Sequence, residues 1–241
     1  MISNPTSYIK QNLLYKGKAK DIYSTDNANI VIQYFKDDMT AGNGARHEIV
    51  KDKGILNCKI SSFLMTQLAQ NGIENHFISQ INEREQVVKT VKIIPLEVIV
   101  RNIASGSFCK RFGVENGLKF DMPCVEFSYK DDFLGDPAIS EGQIIAMNIA
   151  NKEQIEYISS VALKINRVLQ SQFLRINLAL VDFKVEFGIE SSGNIILADE
   201  ISPDSCRLWN KDGKSFDKDI FRKNLGNVMD GYNYIANNLI I

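Results

Sequence analysis

The sequence contains few of the residues that build metal clusters and disulfide frameworks. Its 241 residues include four cysteines, two histidines and one tryptophan. No two cysteines have the CxxC spacing of a zinc or redox site, and two histidines make a zinc cluster improbable. We therefore expect reduced, isolated thiols in a reducing compartment. The cysteines are Cys58, Cys109, Cys124 and Cys206, and the histidines are His47 and His76.

The sequence also lacks long apolar runs and any large excess of positive or negative residues. No apolar stretch is long enough to cross a bilayer, and the polar segment 1–11 lacks the core of a signal peptide. With 28 basic and 29 acidic residues, the net charge of -1 argues against a protein whose main role is to bind nucleic acid. We expect a cytosolic protein with no membrane and no nucleic-acid partner.

The composition is that of a folded protein, with 44% hydrophobic and 24% charged residues. The length fits one large domain or two small lobes that share a cleft. A helical spacing of apolar residues predicts a helix over 51–71. β-branched and aromatic runs predict three strands in the same part of the chain, at Ile30–Phe35, 87–94 and 96–101, with Pro95 separating the last two.

The second part of the chain is more helical. Asn151, with Gln154 three residues on, predicts a capping box at the start of a helix that reaches residue 173. An apolar stripe over 221–235 predicts another helix near the C-terminus. Two strands are predicted between these helices, over Ala179–Ile189 and 194–201.

Strands and helices that do not alternate regularly indicate an α+β fold rather than a doubly wound sheet. We expect a smaller β-rich N-lobe over residues 1–92 and a larger α+β C-lobe over residues 93–241. A cleft should lie between the two lobes, with the junction in the stretch 89–95.

The most informative stretch is VDFKVEFG, over residues 181–188, which alternates strictly between apolar and charged residues. On a strand, the apolar residues face a core, and Asp182, Lys184 and Glu186 share the opposite face. A charged face can simply be solvated, which is the alternative. Asp182 would lie about 13 Å from Glu186 along the strand, a separation that indicates two subsites on one face.

The segment after this strand favours the functional interpretation. A turn over 190–194 leads into a second strand that ends with Asp199. If the hairpin folds about the bond between Ser192 and Gly193, Glu186 stands directly opposite Asp199. Two carboxylates so placed suit Mg²⁺ holding substrate phosphates. The register is an assumption, because a slip of one residue would break the pairing.

Two loops near the N-terminus are rich in glycine. The motif YKGKAK, which contains Lys16, Gly17, Lys18 and Lys20, could cover a polyphosphate with backbone amides and ammonium groups. It is not a Walker A loop, and a solvated basic turn is the alternative. The loop 38–46 allows close backbone approach to a ligand, or it is an ordinary mobile loop.

Two further segments carry candidate phosphate-binding arginines. Glu97 and Arg101 lie on one face of a predicted strand, and Arg101 leads into a small-residue turn that ends at Ser107. Arginine, a hydroxyl and turn amides suit a terminal phosphate, although a strand-edge arginine paired with an acid is the alternative. The segment 199–209 begins at Asp199, which ends the second strand of the hairpin, and contains Arg207.

These segments together resemble the SAICAR synthetase family over nearly the whole chain, from Leu14 to Leu239. The motifs that carry the resemblance are YKGKAK, TAGNGAR, IIPLEVIVRNIASGS, VDFKVEFG and DEISPDSCRLW. Small residues at four positions depart from the usual form of the family, which affects the details of substrate contact rather than the chemistry. These positions are Thr40, Ser105, Ala198 and Cys206.

The resemblance implies a two-lobed α+β fold, distantly like protein kinases, with ATP in the cleft. The adenine would contact backbone between Lys89 and Ile93, and YKGKAK would cover the phosphates. Glu186 and Asp199 would bind Mg²⁺. Lys130, within the acidic segment 129–137, would approach the nucleotide or the metal, although that segment could equally be a mobile lid.

The resemblance also implies the roles of the substrate-binding residues. Arg101, Ser107 and Arg207 would bind the ribose phosphate of the imidazole substrate. The groups that contact its ring, carboxylate or ribose would be Glu97, Asp182, Lys184 and Asp204. Asp38, Arg46 and the glycine-rich loop that contains them are candidates for the aspartate pocket, and the residues expected to act in catalysis are Lys184, Asp182 and Lys18.

The implied reaction is ATP-dependent ligation of L-aspartate to the carboxylate of 5-amino-1-(5-phosphoribosyl)imidazole-4-carboxylate (CAIR). It gives SAICAR, ADP and phosphate in de novo purine biosynthesis, through an acyl phosphate. The family also implies a homo-oligomer. A kinase-like phosphotransferase with a small-molecule acceptor and a non-catalytic nucleotide-binding protein are the alternatives.

Overall fold

The computed structural model of this chain describes residues 8–42 and 44–240. The strands are β1 (Lys10–Lys16), β2 (Lys20–Thr25), β3 (Ile30–Phe35), β4 (Asp38–Ala41), β5 (Arg46–Ile49), β6 (Phe77–Gln80), β7 (Glu85–Lys89), β8 (Lys92–Ile103), β9 (Lys119–Tyr129), β10 (Ala138–Ile139), β11 (Ala179–Ile189), β12 (Ile195–Ala198) and β13 (Cys206–Trp209). The helices are α1 (Lys53–Gln70), α2 (Ser107–Phe112), α3 (Glu141–Ala146), α4 (Lys152–Leu174), α5 (Asp219–Arg222) and α6 (Val228–Leu239). The mixture confirms the predicted α+β class.

Two antiparallel sheets organise the molecule. The first has five strands in the order β1-β2-β3-β7-β6, and the second has the order β10-β9-β8-β11-β12, with β13 also paired to β11. β4 and β5 form a separate hairpin. The predicted alternation along β11 is confirmed, since its apolar residues are at most 1% exposed on one face, while Asp182 and Glu186 lie on the other.

The chain passes between the sheets at residues 90–91, within the stretch 89–95 expected for the junction, but the predicted break between two strands at Pro95 is wrong. β8 runs through Pro95 without a break. Its register with β11 shifts between the pairs Ile93–Gly188 and Glu97–Glu186, so Pro95 lies in an irregular part of the ladder. Such a position tolerates a residue that has no backbone N–H. The predicted division of lobes at residues 92 and 93 stays a prediction.

The helix α4 packs on β8, β9 and β11 of the large sheet, whereas α1 contacts β3, β6 and β7 of the five-stranded sheet and also packs against α4 and α6. The predicted capping box of α4 is confirmed, because Asn151 accepts from the Gln154 N–H at 2.8 Å and Gln154 accepts from the Asn151 N–H at 2.9 Å. The apolar residues of α4, α1 and α6 join one core with β8 and β11. Among the residues described, no helix is both long enough and apolar enough to span a membrane.

The predicted C-terminal helix over 221–235 is wrong as a single element. The chain forms two helices, α5 and α6, with Asn224 at φ 55° and Gly226 at φ 129° between them. Neither value is compatible with a continuous α-helix. Leu225, which the predicted stripe placed in the core, is 61% exposed. The break leaves α5 as a short turn beside β13.

A short segment before β6 ties the two sheets together. The Glu74 carbonyl accepts from the Leu197 N–H at 3.1 Å, and the Leu197 carbonyl accepts from the His76 N–H at 2.9 Å. The His76 ring is buried and donates from Nε2 to the backbone carbonyl of Asp199 at 2.9 Å. Because a carbonyl only accepts, the hydrogen bond requires a hydrogen on Nε2. Burial lowers the pKa of His76 to about 4.

We expect this histidine to make stability depend on pH. Its stabilising contribution is complete above about pH 6.5, where histidine of the unfolded chain is neutral, and is lost as the pH falls through about 4. His76→Gln, which keeps an N–H donor, should reduce the loss in free energy of unfolding between about pH 7.5 and pH 5 by up to about 2 kcal/mol. Urea denaturation at both pH values measures this difference.

The matched control for this experiment is His47→Gln, because the side chain of His47 is 50% exposed. The control should retain most of the wild-type pH dependence. Identical pH dependence in the wild type and both variants would contradict the assignment of a buried neutral ring to His76.

Candidate active site

A cleft with a volume of about 880 Å³ lies between the five-stranded sheet and the polar face of the six-stranded sheet. One wall comes from the turn after β1 and from β3 and β7, and the other from β8, β11 and the segment that follows β12. The predicted site residues that line this cleft are Gly17, Lys18, Lys20, Lys89, Ile93, Glu97, Lys130, Lys184, Glu186, Asp199 and Asp204.

The hairpin register differs by one residue from the prediction. Glu186 pairs with Ala198, so Asp199 is not directly opposite Glu186. Asp199 lies beyond the end of β12 with φ 60°, a left-handed backbone that the sequence pattern does not reveal. Both carboxylates nevertheless line the same cleft. The two acids therefore converge through a turn at Asp199 rather than through strand pairing.

Each of these carboxylates forms an ion pair with a lysine. Lys130 Nζ lies 2.5 Å from Glu186 Oε1, and Lys20 Nζ lies 2.5 Å from Asp199 Oδ1 and 2.9 Å from Glu200 Oε1. Burial and the charge of Asp199 raise the pKa of Glu186. Burial opposes ionisation of Asp199 as well, but Lys20 holds the pKa of Asp199 well below its usual range. The two acids thus repel one another and need cations between them.

The donor set fits one Mg²⁺ ion. Within residues 8–42 and 44–240, no group of three or more His, Cys, Asp or Glu residues is placed to hold a metal. Mg²⁺ binds through one or two carboxylates, keeps several waters and takes its other ligands from substrate phosphates. Glu186 and Asp199 supply two such carboxylates in the cleft. This pair suits a metal that arrives with a nucleotide.

The loop between β1 and β2 forms the upper edge of the cleft. The Gly17 N–H donates to the Lys20 carbonyl at 2.8 Å, and a Cβ at Gly17 would lie 2.6 Å from that oxygen, so the turn requires glycine. Lys18 Nζ reaches across to Asp132 Oδ1 at 2.8 Å. Lys16 is exposed and does not line the cleft. Lys18 therefore links the loop to the segment after β9.

The far end of the cleft is less charged. Lys89 and Ile93 line it together with Val31 and Val88. Lys89 Nζ contacts Glu190 Oε2 at 3.2 Å, at the end of β11. Backbone of the crossing between the sheets is accessible here, and the apolar side chains offer a surface for a planar ring. This end has the character of a site for a nucleotide base.

A second charged cluster lies on the same face of β8 and β11. Arg101 Nη1 and Arg207 Nη1 both donate to Asp182 Oδ2 at 2.7 Å, and Arg101 Nη2 contacts Ser107 Oγ at 3.3 Å. Arg101 also pairs with Glu126. On the paired strands β11 and β8, Asp182 lies opposite Arg101 and Glu186 lies opposite Glu97. The arginine cluster is therefore four residues along β11 from Glu186. None of Arg101, Asp182 and Arg207 lines the main cleft.

Close packing holds this arginine cluster in shape. A Cβ at Gly106, which has φ +59°, would lie 2.5 Å from Arg207 Nη2, so only glycine lets the arginine approach the turn before α2. Arg207 Nε donates to Asp219 Oδ2 at 3.3 Å. Burial acts to lower the pKa of Arg207, but Asp182 and Asp219 raise it. The guanidinium therefore stays charged next to the β8–β11 face.

Between the two clusters, Lys184 pairs with Glu97. Burial acts to lower the pKa of Lys184, but Glu97 and Glu186 raise it above its usual range, so Lys184 is a fixed cation. Asp204 lines the cleft but is already engaged, with Oδ2 on Lys53 Nζ at 2.7 Å and Oδ1 on the Tyr232 hydroxyl. Asp204 therefore acts first as a structural anchor for that wall.

The structure does not bring Asp38 and Arg46 into the cleft. Asp38 pairs with His47 at 2.8 Å and lies 3.5 Å from Lys36. Arg46 stacks on the ring of Phe221, 3.9 Å from its centroid, and lines a separate groove of about 400 Å³. Backbone of the adjacent turn does line the cleft, at positions 40–42 and 44.

Several site residues escaped the sequence analysis because their partners are distant in the chain. Glu126 bridges Arg101 and Arg111, and Lys53 is 1% exposed beneath Asp204. Only Glu200 had a local signal, its position next to Asp199. The remaining residues of this kind that line or support the site are His76, Asp132, Lys218, Asp219 and Arg222.

Comparisons with known proteins agree with one another. The profile of the SAICAR synthetase family matches residues 13–239. A relative from Streptococcus thermophilus, a phosphoribosylaminoimidazole-succinocarboxamide synthase, is 50% identical over 231 residues that cover 96% of this chain and 98% of the relative. The crystal structure of the synthase of that name from Ehrlichia chaffeensis is 48% identical, with a TM-score of 0.93 over 95% of this chain and 98% of that one.

A further solved structure has a bound nucleotide. It is a SAICAR synthetase in complex with ADP, 39% identical, with a TM-score of 0.90 over 93% of this chain and 96% of that one. The family profile and the identities span nearly the whole chain, as does the two-sheet architecture. This chain belongs to the SAICAR synthetase family.

Proposed function

We propose that this chain joins L-aspartate to the carboxylate of CAIR and converts ATP to ADP and phosphate, forming SAICAR in de novo purine biosynthesis. The observation that carries the proposal is the division of one sheet face into two charged clusters. Glu186 and Asp199 line a cleft edged with lysines, whereas Arg101 and Arg207 converge on Asp182 farther along the same strands. Two anionic substrates thus have separate sites.

The nucleotide occupies the cleft. Its base lies between the strand crossing at 90–91 and the apolar side chains of Val31 and Val88. The β1–β2 loop covers the phosphates and brings Lys18 and Lys20 to them. Lys20 already pairs with Asp199, so a phosphate there meets a cation that is held in place.

Glu186 and Asp199 hold Mg²⁺, which neutralises charge on the phosphates when it is bound. In the structure, each acid pairs with a lysine at 2.5 Å. When Mg²⁺ binds the acids, these lysines would be free to contact phosphate oxygens instead. The local charge would stay balanced both with and without the magnesium nucleotide. That balance supports the assignment, because two buried acids without cations would be costly.

The sugar phosphate of CAIR binds at Arg101, Ser107 and Arg207. Both guanidinium groups are held by Asp182 and retain further N–H donors for a phosphate. The imidazole and its carboxylate then extend along β11 toward Lys184, which lies two residues from Asp182 and two from Glu186. This orientation points the carboxylate at the nucleotide site.

The reaction proceeds through an acyl phosphate. The CAIR carboxylate attacks the γ-phosphorus, the bond to the β-phosphate oxygen breaks, and ADP leaves. The aspartate amine then attacks the acyl carbon, loses a proton, and phosphate departs. Lys184 and Lys18 offset the negative charge that crowds between the reactants, and Asp182 orients the arginines. The protein positions groups and supplies no covalent nucleophile.

The wider organisation is part of the same proposal. The chain acts in the cytosol as a homo-oligomer, with lobes over 1–92 and 93–241. Its single crossing between the sheets at 90–91 supports that division. The contact of Lys18 with Asp132 joins the two walls and supports a lid function for the segment 129–137, which keeps water from the acyl phosphate.

An assay of purified protein tests the reaction. With ATP and Mg²⁺, phosphate release should require both CAIR and L-aspartate, and SAICAR should form in equal amount. Omission of either acceptor should reduce release to background. Formation of a stable phosphorylated acceptor without aspartate would instead identify a kinase-like phosphotransferase, and binding of ATP without turnover would identify a nucleotide-binding protein.

The metal assignment predicts the behaviour of Glu186→Gln. The amide keeps the shape of the side chain but removes the charge that binds Mg²⁺, so kcat should fall roughly a hundredfold or more. Asp199→Asn should act in the same direction. The exposed acid Glu83 provides the control Glu83→Gln, which should stay within about twofold of wild type. Circular dichroism checks the fold, and full turnover by folded Glu186→Gln would refute the assignment.

The sugar-phosphate assignment predicts the effect of Arg207→Lys. Lysine keeps the positive charge but loses the fork that reaches Asp182 and Asp219 together, so the KM for CAIR should rise about tenfold. The KM for ATP should stay within about twofold of wild type. Arg167→Lys, at an exposed position on α4, is the control. A selective rise in the KM for ATP would place the sugar phosphate elsewhere.

A further inference from the structure

Lys218 differs from every other lysine that lines the cleft. Lys18, Lys20, Lys89, Lys130 and Lys184 each have a carboxylate within 4.0 Å. Within the described part of the chain, Lys218 has no such carboxylate and makes no side-chain hydrogen bond. Its side chain nevertheless lines the cleft and is only partly exposed. The ammonium group of Lys218 is therefore available to an anion from outside the chain.

Arg222 lies beside this lysine. The Arg222 N–H donates to the Lys218 carbonyl at 3.0 Å, so the two residues are one helical turn apart at α5 and share a face. Arg222 also lines the cleft, and only its Nη1 contacts Asp219, at 2.8 Å. Its other N–H donors are available to a ligand. Two cations on one face repel one another, and an anion bound between them would attract both and offset this repulsion.

The charged groups around Lys218 fit this interpretation. Burial lowers the pKa of Lys218, and Arg222 and Lys53 act in the same direction. Asp204 and Glu200 oppose the shift, but Asp204 is already held by Lys53. Burial is the largest cause of the shift, and the two neighbouring cations add to it. A bound carboxylate would stabilise the charged form of Lys218 against both effects.

The other anionic groups of the reaction have sites elsewhere. The nucleotide phosphates lie near Lys18 and Lys20, and the sugar phosphate lies at Arg101 and Arg207. The remaining anion is the amino-acid substrate, which carries two carboxylates. The same cleft is lined by the small residues Thr40, Ala41, Gly42 and Gly44, which leave room for a short chain.

We propose that Lys218 and Arg222 bind the two carboxylates of L-aspartate. This assignment rests on the proposed ligation and replaces Asp38 and Arg46 as the residues that recognise the amino acid. The amine of aspartate would then face the acyl carbon near Lys184. A neutral or monocarboxylic amino acid would leave one of the two cations without a partner, so the pair also selects for a dicarboxylate.

Steady-state kinetics of Lys218→Gln tests this proposal. The KM for L-aspartate should rise about tenfold or more, while the KM values for ATP and CAIR stay within about twofold of wild type. Lys218→Arg, which keeps the charge, should recover most of the affinity. Succinate keeps both carboxylates but lacks the amine, and its inhibition constant should rise in parallel with the KM for aspartate.

The exposed lysine Lys211 provides the matched control, and Lys211→Gln should behave as wild type. An unchanged KM for aspartate in folded Lys218→Gln, or a selective rise in the KM for CAIR, would overturn the assignment. If Lys218→Gln does not fold, Arg222→Gln is judged by the same criteria. Failure of the wild-type protein to form SAICAR would refute the proposed reaction instead, so the two failures are distinguishable.

Discussion

A row of opposite charges on the inner face of β8 and β11 is the feature on which the rest of the site depends. Charged groups removed from water need partners of opposite charge. Removal of one partner leaves the other buried and unpaired, which lowers the free energy of unfolding by about 3–5 kcal/mol. The pairs are Arg101 and Arg207 with Asp182, Glu97 with Lys184, and Glu186 with Lys130. Each side chain is fixed by its neighbour before any substrate arrives.

This arrangement serves two purposes with the same residues. Lys20 holds the pKa of Asp199 low, Lys130 opposes the rise that burial causes in the pKa of Glu186, and the acids keep both lysines in place. In the proposed function, a magnesium nucleotide would bring both a dication and polyanionic oxygens, so it would satisfy acids and lysines together. The site would then exchange one set of paired charges for another without leaving an isolated buried charge.

The parts of the fold and site that the sequence predicts correctly are those governed by local rules. The alternation of β11 and the capping box at Asn151 each follow from neighbouring residues, and both are present. The predicted hairpin register is wrong because the turn closes at the pair Ile189–Ile195, so the hairpin is centred on Ser192 and not on the bond between Ser192 and Gly193. The predicted C-terminal helix is wrong because Gly226 interrupts the apolar stripe. Partners such as Glu126 depend on contacts between distant segments, for which a single sequence carries no signal.

Asp219 links two parts of the site that would otherwise be independent. Its carboxylate accepts from Arg207 and Arg222 and also contacts Lys223 at 2.8 Å. If both arginines bind substrate anions as proposed, an anion that draws one arginine toward itself would leave this acid freer to hold the other. Occupancy at either guanidinium would then alter the free energy of binding at the second, and thermodynamic reciprocity makes such an influence equal in both directions.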